Sequence, residues 1–291
     1  MDKDSPRLRR ATYLSGILNR QRPTRVVDVG ANPVNENPYG HLLETDLIEI
    51  VAFEPQPEAF ARLEAAPKKN MTVLPHAIGD GGTAELKVLN AGPMSSLLAP
   101  NPGFMRLMHR WGRRMRINQK LPVETKRLDD LPQITGMDLL KIDVQGAETI
   151  VFDNARQHLA NALIVFTEVA AIPLYDDQPL LDDQMRHLRA QGFDLHKFMF
   201  FKPGMIGSRF ADGLRPRRHK NQLIDGDAVF VRSLMQLDAL ETEQLKHLAF
   251  LSDTFVQSLD LTLRALDILW DRGVVTEEQI RIYMSDFEHL S

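Results

Sequence analysis

Short runs of β-branched and aliphatic residues alternate with helix-patterned stretches from Thr24 to about Arg232, and no other feature constrains this chain as strongly. The runs lie at 25–29, 48–53, 71–74, 139–144 and 162–167. Several are continuously apolar, which is the pattern of strands buried on both faces of a parallel sheet. Between them, 57–65 sets Phe60 and Leu63 on one side, and 180–190 spaces Leu181, Met185 and Leu188 by four and three, a helical stripe. Such alternation predicts a three-layer α/β fold. Further strands are expected at 84–90, after the turn Gly79-Asp80-Gly81-Gly82, and at 121–128, with closing strands at 193–201 and 227–232.

Two parts of the chain break the alternation. Residues 97–120 hold Arg106, Arg110, Arg113, Arg114, Arg116 and Lys120 with no acid, and read as a basic, helical insertion; a second basic loop carries Arg209, Arg215, Arg217, Arg218, His219 and Lys220. From Ser233 to Ser291 the chain is acidic. There Leu245, Leu248, Leu251, Phe255, Leu259, Leu263, Leu266 and Trp270 recur at steps of three and four, one apolar helix face. Gly273 then suits a C-cap, and Thr276-Glu277-Glu278-Gln279 a capping box. The expected organisation is a domain over 1–232 and a helical extension over 233–291, docked on the sheet or on a partner, with a homo-oligomer through these helices left open.

Composition excludes several classes. There is no cysteine, which removes disulfide frameworks, thiolate zinc sites and cysteine nucleophiles. The 35 basic and 39 acidic residues leave a net charge of −4, so nucleic acid is not an expected partner, although local patches remain open. No run approaches the about 18 apolar residues of a membrane span. A basic N-terminus without an apolar stretch behind it does not read as a secretory signal. A cytoplasmic location is the expectation.

Candidate chemistry sits at the ends of the runs. The first ends in Asp28-Val29-Gly30-Ala31-Asn32, where a glycine lets the backbone turn close to a ligand. A dinucleotide site would need G-x-G-x-x-G here; only Gly30 is present, which points to a nucleoside without a diphosphate. The second run ends in Phe53-Glu54-Pro55, with Glu54 24 residues after Gly30, close to the roughly 20 expected of an acid that takes both hydroxyls of a ribose. After the third run, His76, Ala77 and Ile78 could wall an adenine slot. The fourth gives Lys141-Ile142-Asp143-Val144-Gln145-Gly146-Ala147-Glu148. Lys141 and Asp143 share a strand face, and Glu148 falls in the first turn of the next helix, which suits an acid whether or not it binds anything. Glu168 ends the fifth run and adds a third carboxylate to the same rim. Carboxylates alone are weak evidence for a divalent ion, and no metal ligand is assigned.

These segments, with Asp129-Asp130-Leu131, resemble the FkbM family of S-adenosylmethionine-dependent methyltransferases from about Val26 to Arg232. The most specific stretch is K-I-D-x-[EQ]-G-x-E. The resemblance implies a Rossmann-like, mostly parallel seven-stranded sheet with an antiparallel last strand. It implies methionine-moiety contacts around Asp28, Gly30, Ala31 and Asn32, ribose contacts at Glu54, and adenine contacts at Pro55 and His76 to Ile78. It also implies O-methylation of a hydroxyl on a sugar or other small molecule. The family usually continues its first motif as N-x-G; here Asn32 is followed by Pro33-Val34-Asn35-Glu36-Asn37-Pro38-Tyr39-Gly40.

A hydroxyl is a poor nucleophile, so a base within hydrogen-bond reach accelerates its methylation. Asp143 is the candidate base, also facing the cofactor, with Glu168 or Glu148 on other acceptor hydroxyls. Lys141 either tunes Asp143 by its charge or is an inward structural lysine. The arginine-rich segments suit phosphate on the acceptor, the chain's own acidic tail, or a solvated face. Two other readings stand beside this one: an inactive or cofactor-binding scaffold assembled through the tail, and an RNA methyltransferase, which the overall charge disfavours.

Overall fold

The computed structural model describes residues 5–32, 37–108, 111–211, 213–215 and 218–287. After helix α1 (Pro6–Leu18), strand β1 (Thr24–Val29) runs parallel to β2 (Ile48–Phe53), and helix α2 (Pro57–Glu64) leads to β3 (Met71–Leu74). The short β4 (Ala77–Ile78), β5 (Thr83–Leu89), helix α3 (Pro102–Leu107) and β6 (Ile117–Lys126) form an excursion. Strand β7 (Leu139–Ile142), helices α4 (Glu148–Asp153) and α5 (Arg156–Leu159), β8 (Ile164–Ala170) and α6 (Leu181–Arg189) resume the alternation. Strands β9 (Phe193–Gly204) and β10 (Gln222–Arg232) close the sheet, and α7 (Thr242–Leu251), α8 (Leu259–Asp271) and α9 (Glu277–Ser285) end the chain.

The main sheet has the order β3-β2-β1-β7-β8-β10-β9, and β10 runs antiparallel to both neighbours. This is the Rossmann-like methyltransferase sheet that the sequence implies. Alternate side chains feed two cores. Val26, Ile50, Leu139, Ile164 and Val229 meet α1, α7 and α8, whereas Val27, Leu140, Val165 and Phe230 meet α4, α5 and α6. Strands covered on both sides have no polar face to show, hence their continuous apolar runs.

The excursion differs from the helical insertion expected at 97–120. Among the described residues of that span only Pro102–Leu107 is helical; it starts where Asn101 Oδ1 accepts the Phe104 N–H at 3.0 Å. Residues 117–120 belong to β6, which pairs antiparallel with β5 and parallel with β4 in a separate small sheet. Arg110 of the insertion and Arg217 of the second basic loop lie outside the described residues.

The tail docks on the sheet. Leu245, Leu248, Leu266 and Leu269 are fully buried in the same core as Val26 and Val231. Its apolar residues do not form one continuous helix face. A π-helical turn at Ser252–Val256 and a left-handed Gln257 (φ 54°) break the helix, and Trp270 ends on the surface. The capping box forms as expected, with Gln279 N–H on Thr276 Oγ1 at 3.2 Å and Thr276 N–H on Gln279 Oε1 at 2.9 Å. Because the tail completes the core, Leu248→Ala is expected to lower unfolding stability by about 2–5 kcal/mol in urea titration. A loss below about 1 kcal/mol would mean that the tail packs loosely on the sheet.

Candidate active site

Four strand ends meet at the carboxyl edge of the sheet. Gly30 and Ala31 N–H both donate to the Phe53 carbonyl at 3.0 Å, Asp143 N–H donates to Val29 O at 2.9 Å, and Glu54 N–H to Leu74 O at 3.1 Å. Gly30 has φ +85°, and a Cβ there would lie 2.0 Å from the Asp143 carbonyl oxygen. Glycine is thus required both by the backbone angle and by contact with the neighbouring strand.

A cleft opens over this junction. Gly30 and Asn32 form its floor with Glu54, Pro55 and Asp143, and His76, Ala77 and Ile78 form one wall. Eight of the residues expected at the cofactor therefore share one cleft. Sequence reasoning missed Leu86, Pro93, Ser95, Ser96 and Leu97, which also line the cleft and come from the excursion outside the βα alternation. Among the described residues lining the cleft there is no lysine or arginine. Burial pushes the Glu54 carboxyl up to about 7, with the Gln56 N–H at 2.9 Å working against it and the Asp28 and Asp143 charges adding to it.

Two expected cofactor residues are not on the cleft wall. Ala31 is buried in the core. Asp28 is fully buried beneath the junction, where Lys141 Nζ donates to its Oδ1 at 2.8 Å and the Tyr39 hydroxyl donates to its Oδ2. Burial alone would lower the Lys141 pKa, but the Asp28, Asp143 and Asp227 carboxylates together outweigh it and hold it above the usual value. Residues 33–36 of the altered loop lie outside the described residues.

A second cavity lies across the same edge, lined by Lys141, Asp143, Phe166, Glu168, Phe200, Lys202 and Asp227 among others. Among the described residues, Asp143 alone lines both cavities. Gln145 ties the acids together: its Nε2 donates to Asp143 Oδ1 at 2.7 Å and to Glu168 Oε2 at 2.6 Å. The Tyr175 hydroxyl shares its one proton between Gln145 Oε1 at 2.9 Å and the Met94 carbonyl at 2.7 Å. Burial, then the Asp143 charge, lifts Glu168 well above the carboxylate range. Burial also raises Asp143, against the pull of the Lys141 charge. Asp227 is pushed to about 6 by burial and by Asp143. Lys202 pairs with Asp225 at 2.8 Å.

Glu148 lines neither cavity. Its Oε1 accepts the N–H groups of Val144 at 3.2 Å and Gly146 at 3.0 Å, so it holds the loop that carries Asp143 and Gln145. Sequence reasoning assigned no role to Gln145, Lys202, Asp225 or Asp227. The available signals were an amide two positions after Asp143 and charged residues two apart near the facing ends of the last two strands.

The family signature described as a methyltransferase FkbM domain matches residues 28–195. The chain is similar to the 2-O-methyltransferase NoeI of Sinorhizobium fredii, 27% identical over 177 residues that cover 56% of this chain and 69% of that one. Among solved structures it is similar to a precorrin-6y C5,15-methyltransferase from Geobacter metallireducens, with 14% identity and a TM-score of 0.36 over 77% of this chain and 87% of that one. It is also similar to a magnesium protoporphyrin IX methyltransferase from Synechocystis, with 11% identity and a TM-score of 0.35 over 78% and 79%.

Burial pushes the Glu148 carboxyl from its ordinary 4.5 up to about 7. The folded protein thus binds this proton more tightly than the unfolded chain. Its contribution to stability is complete below pH 4.5 and is lost as pH rises through about 7. Glu148→Gln should shrink the fall in stability between about pH 5 and 8 by up to about 3 kcal/mol, read as urea midpoints at the two values. An unchanged fall would show that Glu148 is ionised in the fold at both.

Proposed function

Because this chain belongs to the FkbM methyltransferase family, we propose that its first cleft holds S-adenosylmethionine and its second a hydroxylated, sugar-like acceptor. The observation that carries the reading is Asp143, the one described residue that lines both cavities. Transfer between two bound molecules needs one place where they meet in a fixed orientation.

The cleft suits this cofactor. Its apolar walls (Phe53, Pro55, Ile78, Leu86, Leu97) suit a flat purine, and Glu54 is the acceptor a vicinal diol requires. Among the described residues the lining lacks the lysines and arginines that a pyrophosphate would draw, while Asp143 and Glu54 favour a positive sulfur centre. When bound, the cofactor supplies a methyl carbon activated by sulfonium.

The rest falls to the protein. Asp143 accepts the acceptor's hydroxyl proton, as the group that faces the acceptor from the cofactor side. Gln145 positions that carboxylate and keeps Glu168 beside it; Glu168, whose burial favours its protonated form, hydrogen-bonds a second acceptor oxygen. The aromatic faces of Phe166 and Phe200 beside Lys202 and Asp227 are the mix of stacking and hydrogen bonding that suits a polyhydroxylated ring. A relative named as a 2-O-methyltransferase is consistent with an oxygen as the acceptor atom.

Calorimetry with S-adenosylhomocysteine tests the first half. Binding should tighten as pH rises through about 7, where Glu54 ionises, and Glu54→Gln should weaken it by about 10- to 100-fold and flatten the pH response. Absence of binding by the wild-type protein would overturn the reading. For the second half, Asp143→Asn should lower methyl transfer to a sugar pool by about a hundredfold or more while leaving S-adenosylhomocysteine binding within a few fold. Unchanged turnover would remove Asp143 as the base.

A further inference from the structure

Strand β9 runs toward the same edge as β8, so the loop that follows it hangs beyond the carboxyl edge, beside the second cavity that Phe200 and Lys202 line. The end of α3 meets it there: Gly207 N–H donates to Leu107 O at 2.8 Å, and Met108 packs so closely on Gly204 that a Cβ would lie 2.3 Å from its Cε. The two basic segments, far apart in sequence, are therefore one surface.

Its composition is unlike the rest of the exterior. Leu107, Ile206, Leu214 and Leu223 are exposed, and Phe210 is 80% exposed. Around them, Arg106, Arg113, Arg116, Arg209, Arg215 and Arg218 have no carboxylate within ion-pair distance among the described residues. Elsewhere several exposed arginines are paired, as Arg156 is with Asp153, Arg186 with Asp183, Arg264 with Asp238 and Arg281 with Glu277, and those without an ion pair, Arg62, Arg189 and Arg272, stand far apart in the sequence rather than in a cluster.

We propose that this surface docks the protein on an anionic lipid bilayer, with the acceptor cavity turned toward the membrane. Unneutralised arginines next to exposed aliphatic side chains are what an interface of acidic headgroups over hydrocarbon selects. RNA fits less well, because of these exposed apolar side chains only Phe210 offers a base a stacking face, whereas Leu107, Ile206, Leu214 and Leu223 do not. The net charge of −4 on the chain does not oppose docking, since headgroup attraction falls off within a Debye length and is set by the nearest charges.

Sedimentation of the full chain with vesicles tests the proposal and does not depend on methyl transfer. Binding is expected to phosphatidylserine-rich vesicles and not to pure phosphatidylcholine, and should fall with added salt. Arg209→Gln and Arg215→Gln should each weaken it about fivefold, and Phe210→Ser with Leu214→Ser should weaken it further at unchanged melting temperature. Wild-type protein that sediments equally with both vesicle types, or with neither, overturns the proposal. Variants that bind like wild type overturn it too, as does displacement from vesicles by millimolar inorganic phosphate, which would reduce the surface to a simple anion site. An RNA gel shift or a doubled light-scattering mass that the same substitutions abolish would give the surface to RNA or to a second copy instead.

Discussion

The Asp143 carbonyl stands where any side chain at position 30 would begin. That contact brings the ends of the first and fourth parallel strands together, and both candidate cavities are built around it. With Gly30 in the left-handed region, the chain after β1 turns away over the sheet edge and leaves room for the first cleft. With Asp143 N–H held by Val29 O and its carboxylate by Gln145, Asp143 is fixed where the two cavities meet. A larger residue at 30 would separate the strands and misplace the acid that the proposed chemistry needs; an error of about 1 Å is enough to slow such a reaction strongly.

Buried charge is the second constraint. Asp28 and Lys141 lie opposite each other in adjacent strands, and both are almost wholly enclosed. Removing one partner of a buried pair costs about 3–5 kcal/mol, since the other is left uncompensated. Their pairing lets a lysine stand beneath the Asp143 carboxylate with its charge held in place. The amide of Gln145 plays the complementary part above, giving one N–H to each of two carboxylates that would otherwise repel. Glu148, Asp143, Glu168 and Asp225 at this edge each accept from a specific donor, and burial shifts Glu148 and Glu168 toward their protonated forms.

The sequence made legible whatever depends on one strand and its end. Gly30, Glu54, His76 and Asp143 fall at one edge because parallel strands in a βα repeat all point the same way. What the sequence hid depends on neighbours across strands. Asp28 looks like a cofactor ligand when β1 is read alone; the register with β7 turns it inward onto Lys141. Glu148 looks like an acceptor-binding acid until the loop before it folds back onto its carboxylate. Lys202, Asp225 and Asp227 reach the rim only because β10 and β9 are added beyond β8. Ser95 to Leu97 come from an excursion that no periodicity marks.

The tail and the basic edge follow from one topological fact. Among the described residues, the crossover from β1 to β2 contains a single 3-10 turn (Gly40–Leu42) and no α-helix. The sheet face left open there must still be covered, and α1 with the C-terminal helices covers it. Their apolar sides are thereby committed to the core, and several of their acids find cations close at hand: Asp253 pairs with Arg10, Asp286 with Arg9, Asp238 with Arg264 and Glu277 with Arg281. None of these pairs reaches the basic segments at the carboxyl edge. With those acids engaged elsewhere, Arg106, Arg113, Arg116, Arg209, Arg215 and Arg218 are left without a carboxylate partner among the described residues, and charge that is not neutralised locally is what a surface can offer to an anionic partner.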